Sequence, residues 1–248
     1  MIEYGSTLAA ASLFAAVFLF GRALHFPACI ARHHRKIISF AGGMAVAYVF
    51  LHLLPELEAA SAKFLEITRN LTLPAPAFRV YIAAMAGFML YYALAHMVAW
   101  SHSRDVGELP PAQGGPVFVL HVTGFVFYVW LTSYLLVRDI SGGRIPILLF
   151  TIAMGAHFLT IDHSLRCEHG PAYERVGRRV LALAAILGWG VGCITELPKT
   201  WAITLLGFIS GGVIMNSMIM ELPREKEGKF WFFLAGGGAY AALLIPLT

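Results

Sequence analysis

The chain has 248 residues, 58% of them hydrophobic and only 13% charged, with a formal net charge of +4 and a mean hydropathy of +0.72. Soluble domains hold about 45–50% apolar and about 25% charged residues, so an ordinary water-soluble protein is excluded and an all-α, polytopic membrane protein is expected. A pI near 9.1 is accounted for by basic loops lying against a lipid surface, and no nucleic-acid partner is implied.

A bilayer core about 30 Å thick takes about 20 apolar residues of helix. Such runs recur at Ser6 to Leu24, Ile37 to Leu57, Val80 to Trp100, Pro116 to Val137, Ile145 to Leu165, Val180 to Ile194, Trp201 to Met220 and Phe230 to Leu247. Together they predict eight transmembrane helices in a single transmembrane domain over residues 1–248. The first run starts after Glu3 with no Lys or Arg before it, and Arg22 interrupts the stretch before "PACIA". A retained helix is therefore expected rather than a cleaved signal peptide. The sixth run is the shortest and ends in "ITELPK".

Charge sets the orientation. Alternate loops collect Arg32, Arg35, Lys36, Arg104, Arg166, Arg175, Arg178, Arg179, Arg224, Lys226 and Lys229 on one side, against Lys63, Arg69, Arg79, Arg138, Arg144 and Lys199 on the other. The richer side is cytoplasmic by the positive-inside rule, which puts both termini outside. Short connections and the lack of a long histidine-rich loop suit a bacterial inner membrane. Cys29, Cys167 and Cys193 are scattered and form no CxxC pair, so neither a disulfide framework nor a zinc knuckle is expected. Gly188 with Gly192, Gly207 with Gly211 and the "AGGGA" at 235–239 give flat helix faces. These predict close helix contacts within the chain and offer a surface for a homodimer.

Polar groups inside the apolar runs carry the functional reading. In "LHLLPEL", residues 51–57, His52 and Glu56 share a helix face, while Pro55 cannot bond to the Leu51 carbonyl. "SFAGGMAVAYVFLHLLPEL" at 39–57 repeats in "FISGGVIMNSMIMELPRE" at 208–225, where Glu221 takes the register of His52 and Asn216 lies inside the run. The second and seventh helices run in opposite directions, so the repeat is inverted, as in many transporters. His121 in the fourth run lies about 7–8 Å from its cytoplasmic end, and Asp162 and His163 about as deep in the fifth, with His157 one and a half turns farther out. Two readings stay open here. These four could form one metal site suited to zinc, iron or manganese; alternatively Asp162 pairs with Arg166 four residues on, and the histidines bond to neighbouring groups. Several ionisable groups inside apolar spans, each costing about 2.5–3.5 kcal/mol at a helix centre, favour a polar pathway.

"SFAGGMAVAYVFLHLLPELE" resembles the second helix of the ZIP family of divalent-metal transporters, and "LLGFISGGVIMNSMIMELPRE" its seventh. The resemblance implies a ZIP-like bundle of eight helices with both termini outside and a metal centre on the fourth and fifth helices. His121 and His157 match leading ligands of that centre. Val122, Phe125, Phe158 and Ile161 depart from it, standing where an asparagine, an acid, a glutamate and a second histidine belong.

The expected function is transport of a divalent cation through His52, Glu56, His121, His157, Asp162, His163, Asn216 and Glu221, between the second, fourth, fifth and seventh helices. The alternative is a transport-inactive, metal-sensing or accessory subunit. No GxxxxGK[ST] motif indicates nucleotide-driven pumping. Neither enzymatic activity nor an organic cofactor is expected; the partners are the bilayer and the transported ion, Zn2+ or another divalent cation.

Overall fold

The computed structural model describes residues 4–21, 34–70, 76–104, 115–138, 144–217 and 229–244. Among the described residues all regular structure is helical and no strand occurs. The α-helices are α1 (Tyr4–Phe20), α2 (His34–Tyr48), α3 (Leu54–Ile67), α4 (Arg79–Arg104), α5 (Pro116–Arg138), α6 (Arg144–Ala172), α7 (Arg178–Ile194), α8 (Lys199–Met215) and α9 (Phe230–Leu244). π-helical turns at Val49–Leu53 and Tyr173–Gly177 join α2 to α3 and α6 to α7.

Lipid-crossing length is evident in Gly42–Ile67, Arg79–Ser101, Pro116–Arg138 and Ile147–Ile194, with Tyr4–Phe20, Lys199–Met215 and Phe230–Leu244 as shorter apolar helices. Their outward faces are apolar too. Val176 of the π-turn and Val180, Leu183 and Leu187 of α7 recur at i, i+4, i+7 and i+11 as an exposed stripe, as lipid contact requires. Among the described residues, membrane-length helices with apolar outward faces thus agree with the composition in indicating an integral membrane protein.

The chain divides into two compact units, Met1–Arg22 with Met89–Glu196, and Ala23–Phe88 with Leu197–Thr248. In the first, α5 packs on α7 where small residues let backbones meet: a Cβ at Gly188 would overlap the Trp130 carbonyl, and one at Gly192 would lie 2.9 Å from the Tyr134 carbonyl oxygen. The pairs rise together along both helices, so α5 and α7 run parallel. Contacts between α5 and α6 run in the opposite sense, from His121 with His169 to Tyr128 with His157. Alongside α6 lies α1, its Phe14 ring 4.9 Å from that of Phe158, and Trp189 Nε1 donates to Thr7 Oγ1 at 3.1 Å to tie α1 to α7.

In the second unit, α9 lies parallel to α2, with Gly236 against the Phe40 carbonyl and the Lys229 backbone N–H donating to Ser39 Oγ at 2.9 Å. Gly207 and Gly211 of α8 abut the carbonyls of Val80 and Ala84 on α4. Leu57, Ala60, Phe64, Val80, Ala84 and Ile203 form a buried cluster there. All three glycine patches noted in the sequence therefore mediate contacts within the chain.

The fifth and sixth runs are joined more tightly than hydropathy suggests. Helix α6 continues past Leu165 to His169; Gly170 then adopts φ 48° and ψ −125°, and Pro171 opens the following turn. Only glycine takes that conformation easily, and proline is favoured at a helix start because its missing N–H has no intrahelical acceptor to serve. The polar residues 166–179 interrupt the apolar run, yet the chain stays helical on either side of Gly170, where their charges pair with one another.

These contacts make a paired prediction. Gly188→Ala should destabilise the protein by about 1–3 kcal/mol through forced separation of α5 and α7. Gly190→Ala, where a Cβ meets nothing within 4 Å, should cost nothing in the same helix. Denaturant unfolding in mixed micelles compares them.

Candidate functional site

The sequence-selected residues of the first unit lie on α5 and α6. His121, His157 and Asp162 are buried, at 4%, 6% and 1% exposure, and His163 is half-buried. Each sits in its own set of contacts. Asp162 accepts a hydrogen bond from Tyr173 Oη at 2.6 Å and pairs with the Arg166 guanidinium. Arg166 Nε in turn faces Glu174 Oε1 at 3.3 Å, and Arg178 Nη1 reaches Glu174 Oε2 at 3.3 Å. Two carboxylates and two guanidinium groups therefore balance across the turn between α6 and α7. Tyr173 can lean into this network because residue 177 is glycine; a Cβ there would overlap its ring.

His157 faces Tyr128, with Nε2 and Oη 3.0 Å apart, inside an aromatic wall that includes Phe158. His163 Nε2 lies 3.6 Å from Cys167 Sγ on the outer side of α6. Positions 122, 125, 158 and 161 are built into the core. Phe158 packs against Phe14, Phe18 and Tyr128, and Phe125 against Tyr91, His121 and Tyr128.

His121 is instead brought to residues the sequence reading passed over. Its Nδ1 is 2.9 Å from His169 Nε2 and 3.4 Å from Glu168 Oε2. One donor atom from each of the three lies within 4.8 Å of the others, and among the described residues this is the trio of ligating side chains that converges so. Glu168 and His169 were missed because "RCEHG" reads as the start of a loop. The helical period could have found both: Met154, Phe158, Ile161 and Leu165 form a buried stripe at i, i+4, i+7 and i+11, and Glu168 and His169, at i+14 and i+15, continue it.

In the second unit, His52 Nε2 and Glu56 Oε2 are 3.6 Å apart, about one third exposed, on the rod formed by α2, the π-turn and α3. The proline is absorbed by a register shift: the Leu54 N–H bonds to Val49 O, five residues back, just before Pro55. Tyr48 rests against His52 at 5.4 Å between ring centres and against Tyr240 at 6.1 Å. Asn216 is buried at the end of α8, while Glu221 lies outside the described residues.

Removing one member of the buried ion pair should be costly. Arg166→Met, which strands the Asp162 carboxylate, is expected to destabilise by about 3–5 kcal/mol, and the double change Asp162→Asn with Arg166→Met to recover most of that loss. Unfolding of the two variants in mixed micelles checks it. No protein-family model matches this chain, and no curated protein does.

Proposed function

We propose that this chain is an integral membrane carrier for a divalent cation, zinc, iron or manganese, built as a divergent ZIP-like bundle of eight spans with both termini outside. The supporting observation is the burial of imidazole and carboxylate groups within membrane-length helices, His121, His157 and Asp162 above all. Groups of that kind in an apolar medium cost several kcal/mol unless they are paired or hydrogen-bonded, and inside membrane helices they commonly line ion paths. The half-buried His52–Glu56 pair, beside a π-turn, adds an ion-competent pair in the second unit. An up-and-down path agrees with the helix directions inside each unit, where α5 and α7, and likewise α2 and α9, run parallel. A bacterial inner membrane suits the short connections.

A metal-sensing or accessory subunit is the second reading. Its support is specific: Phe125 and Phe158 fill the core where ligands would stand, and Asp162 is already engaged by Arg166 and Tyr173.

Flux separates the two. In proteoliposomes the carrier should take up radiolabelled zinc or manganese saturably, and His157→Ala should lower uptake at least about tenfold. A subunit of the second kind shows no uptake and co-purifies with a partner. Labelling of cysteines introduced near residues 3 and 246 from the outer face only would agree with the orientation; labelling from inside only would reverse it.

A further inference from the structure

We infer that His121, Glu168 and His169 form a binding site for one divalent cation at the end of the α5–α6 pair, with zinc-like coordination preferences. The donor set is two imidazole nitrogens and one carboxylate oxygen. Catalytic or exchangeable zinc sites use sets of this kind, with three protein ligands and a fourth position left for water or an incoming ligand. Metal–nitrogen bonds of about 2.0–2.1 Å in a tetrahedron put donors about 3.3 Å apart. The 2.9 Å and 3.4 Å separations around His121 Nδ1 bracket that spacing, and the donor atoms of the trio all lie within 4.8 Å of one another, so the three side chains can draw together around one ion.

The surroundings are those of a built site. Ser164 Oγ donates to Glu168 Oε1 at 3.0 Å, orienting the carboxylate through the oxygen that does not face His121. Phe118 sits edge-on to His169 and Phe125 to His121, both with ring centres 5.2 Å apart, so the imidazoles are held in a mostly apolar shell. His121 is buried, whereas Glu168 and His169 are half-buried, which leaves the ion a way in from the end of the helix pair.

Placement gives the ion a mechanical role as well. The trio joins the second turn of α5 to the last residues of α6, next to Gly170. Main chains of α5 and α6 approach each other at few points, while α5 packs along α7. An ion bound here adds a fastening between α6 and the α5–α7 pair. As a station for a transported ion the site rests on the carrier reading; as a metal site it rests on donor geometry alone.

The test uses the full-length protein in nanodiscs, loaded with Zn2+ or Co2+ and washed free of unbound metal. Wild type should retain about one ion per chain, with the visible bands of tetrahedral cobalt(II). Glu168→Gln, which keeps the side chain's size, and His169→Ala should each weaken binding by at least about tenfold and bleach those bands. Gly190→Ala, where a Cβ meets nothing within 4 Å, should leave both readouts unchanged and serves as the folding comparison. Retention of full metal by Glu168→Gln and His169→Ala overturns the inference, as does a loss of metal just as large in Gly190→Ala. Metal bound at the trio without liposomal flux removes the carrier reading and keeps the site; flux unaffected in trio variants that bind metal normally removes the site and keeps the carrier.

Discussion

Hydrocarbon offers no hydrogen bonds, so each polar group carried into it must be answered from within the chain. That constraint organises what the helices do with their few hydrophilic residues. Thr132, Thr151, Thr204 and Ser210 turn their hydroxyls back onto carbonyls four residues earlier in their own helices. Larger charges need larger answers. Asp162 is met by a guanidinium and a phenol, and Glu174 by two guanidinium groups, so that a segment with six charged residues from 162 to 178 forms helical turns on both sides of Gly170 instead of a long loop.

The same medium removes the usual reason for helices to associate, since lipid tails are as apolar as leucine. Contact must come from shape. Gly188 and Gly192, Gly207 and Gly211, and Gly236 bring main chains together so closely that a methyl group would collide with a facing carbonyl or crowd it. Longer side chains bridge the places where small residues are missing. Between α5 and α6 these are paired rings and imidazoles, Tyr128 with His157 and His121 with His169, which makes that seam the polar one of its unit.

Much of this was legible in the residue string. Apolar runs located the helices, GxxxG pairs located their contacts, and the four-residue spacings announced Asp162 with Arg166 and His52 with Glu56. What escaped was the far end of α6. Hydropathy treats "LRCEHGPAYERVGRR" as a connection because it sums residues singly, whereas the folded chain cancels those charges in pairs. Once the helix is ended at Leu165, Glu168 and His169 cannot be placed near anything. Likewise Pro55 predicted an unpaired carbonyl in a regular helix, and the chain answered with a π-turn, a rearrangement of hydrogen-bond register that residue spacing does not encode.

Gly170 carries more than its lack of neighbours implies. A Cβ would meet nothing within 4 Å, so by packing alone the position looks indifferent to substitution. Its backbone at φ 48° nevertheless decides where Tyr173, Glu174 and the whole of α7 are delivered. Drift at this uncrowded residue would re-aim the sixth run as a rigid rod, pulling Gly188 and Gly192 out of step with Trp130 and Tyr134 about five to six turns away. Selection at a site with no contacts would thus be exercised at a distance, through the direction of the chain.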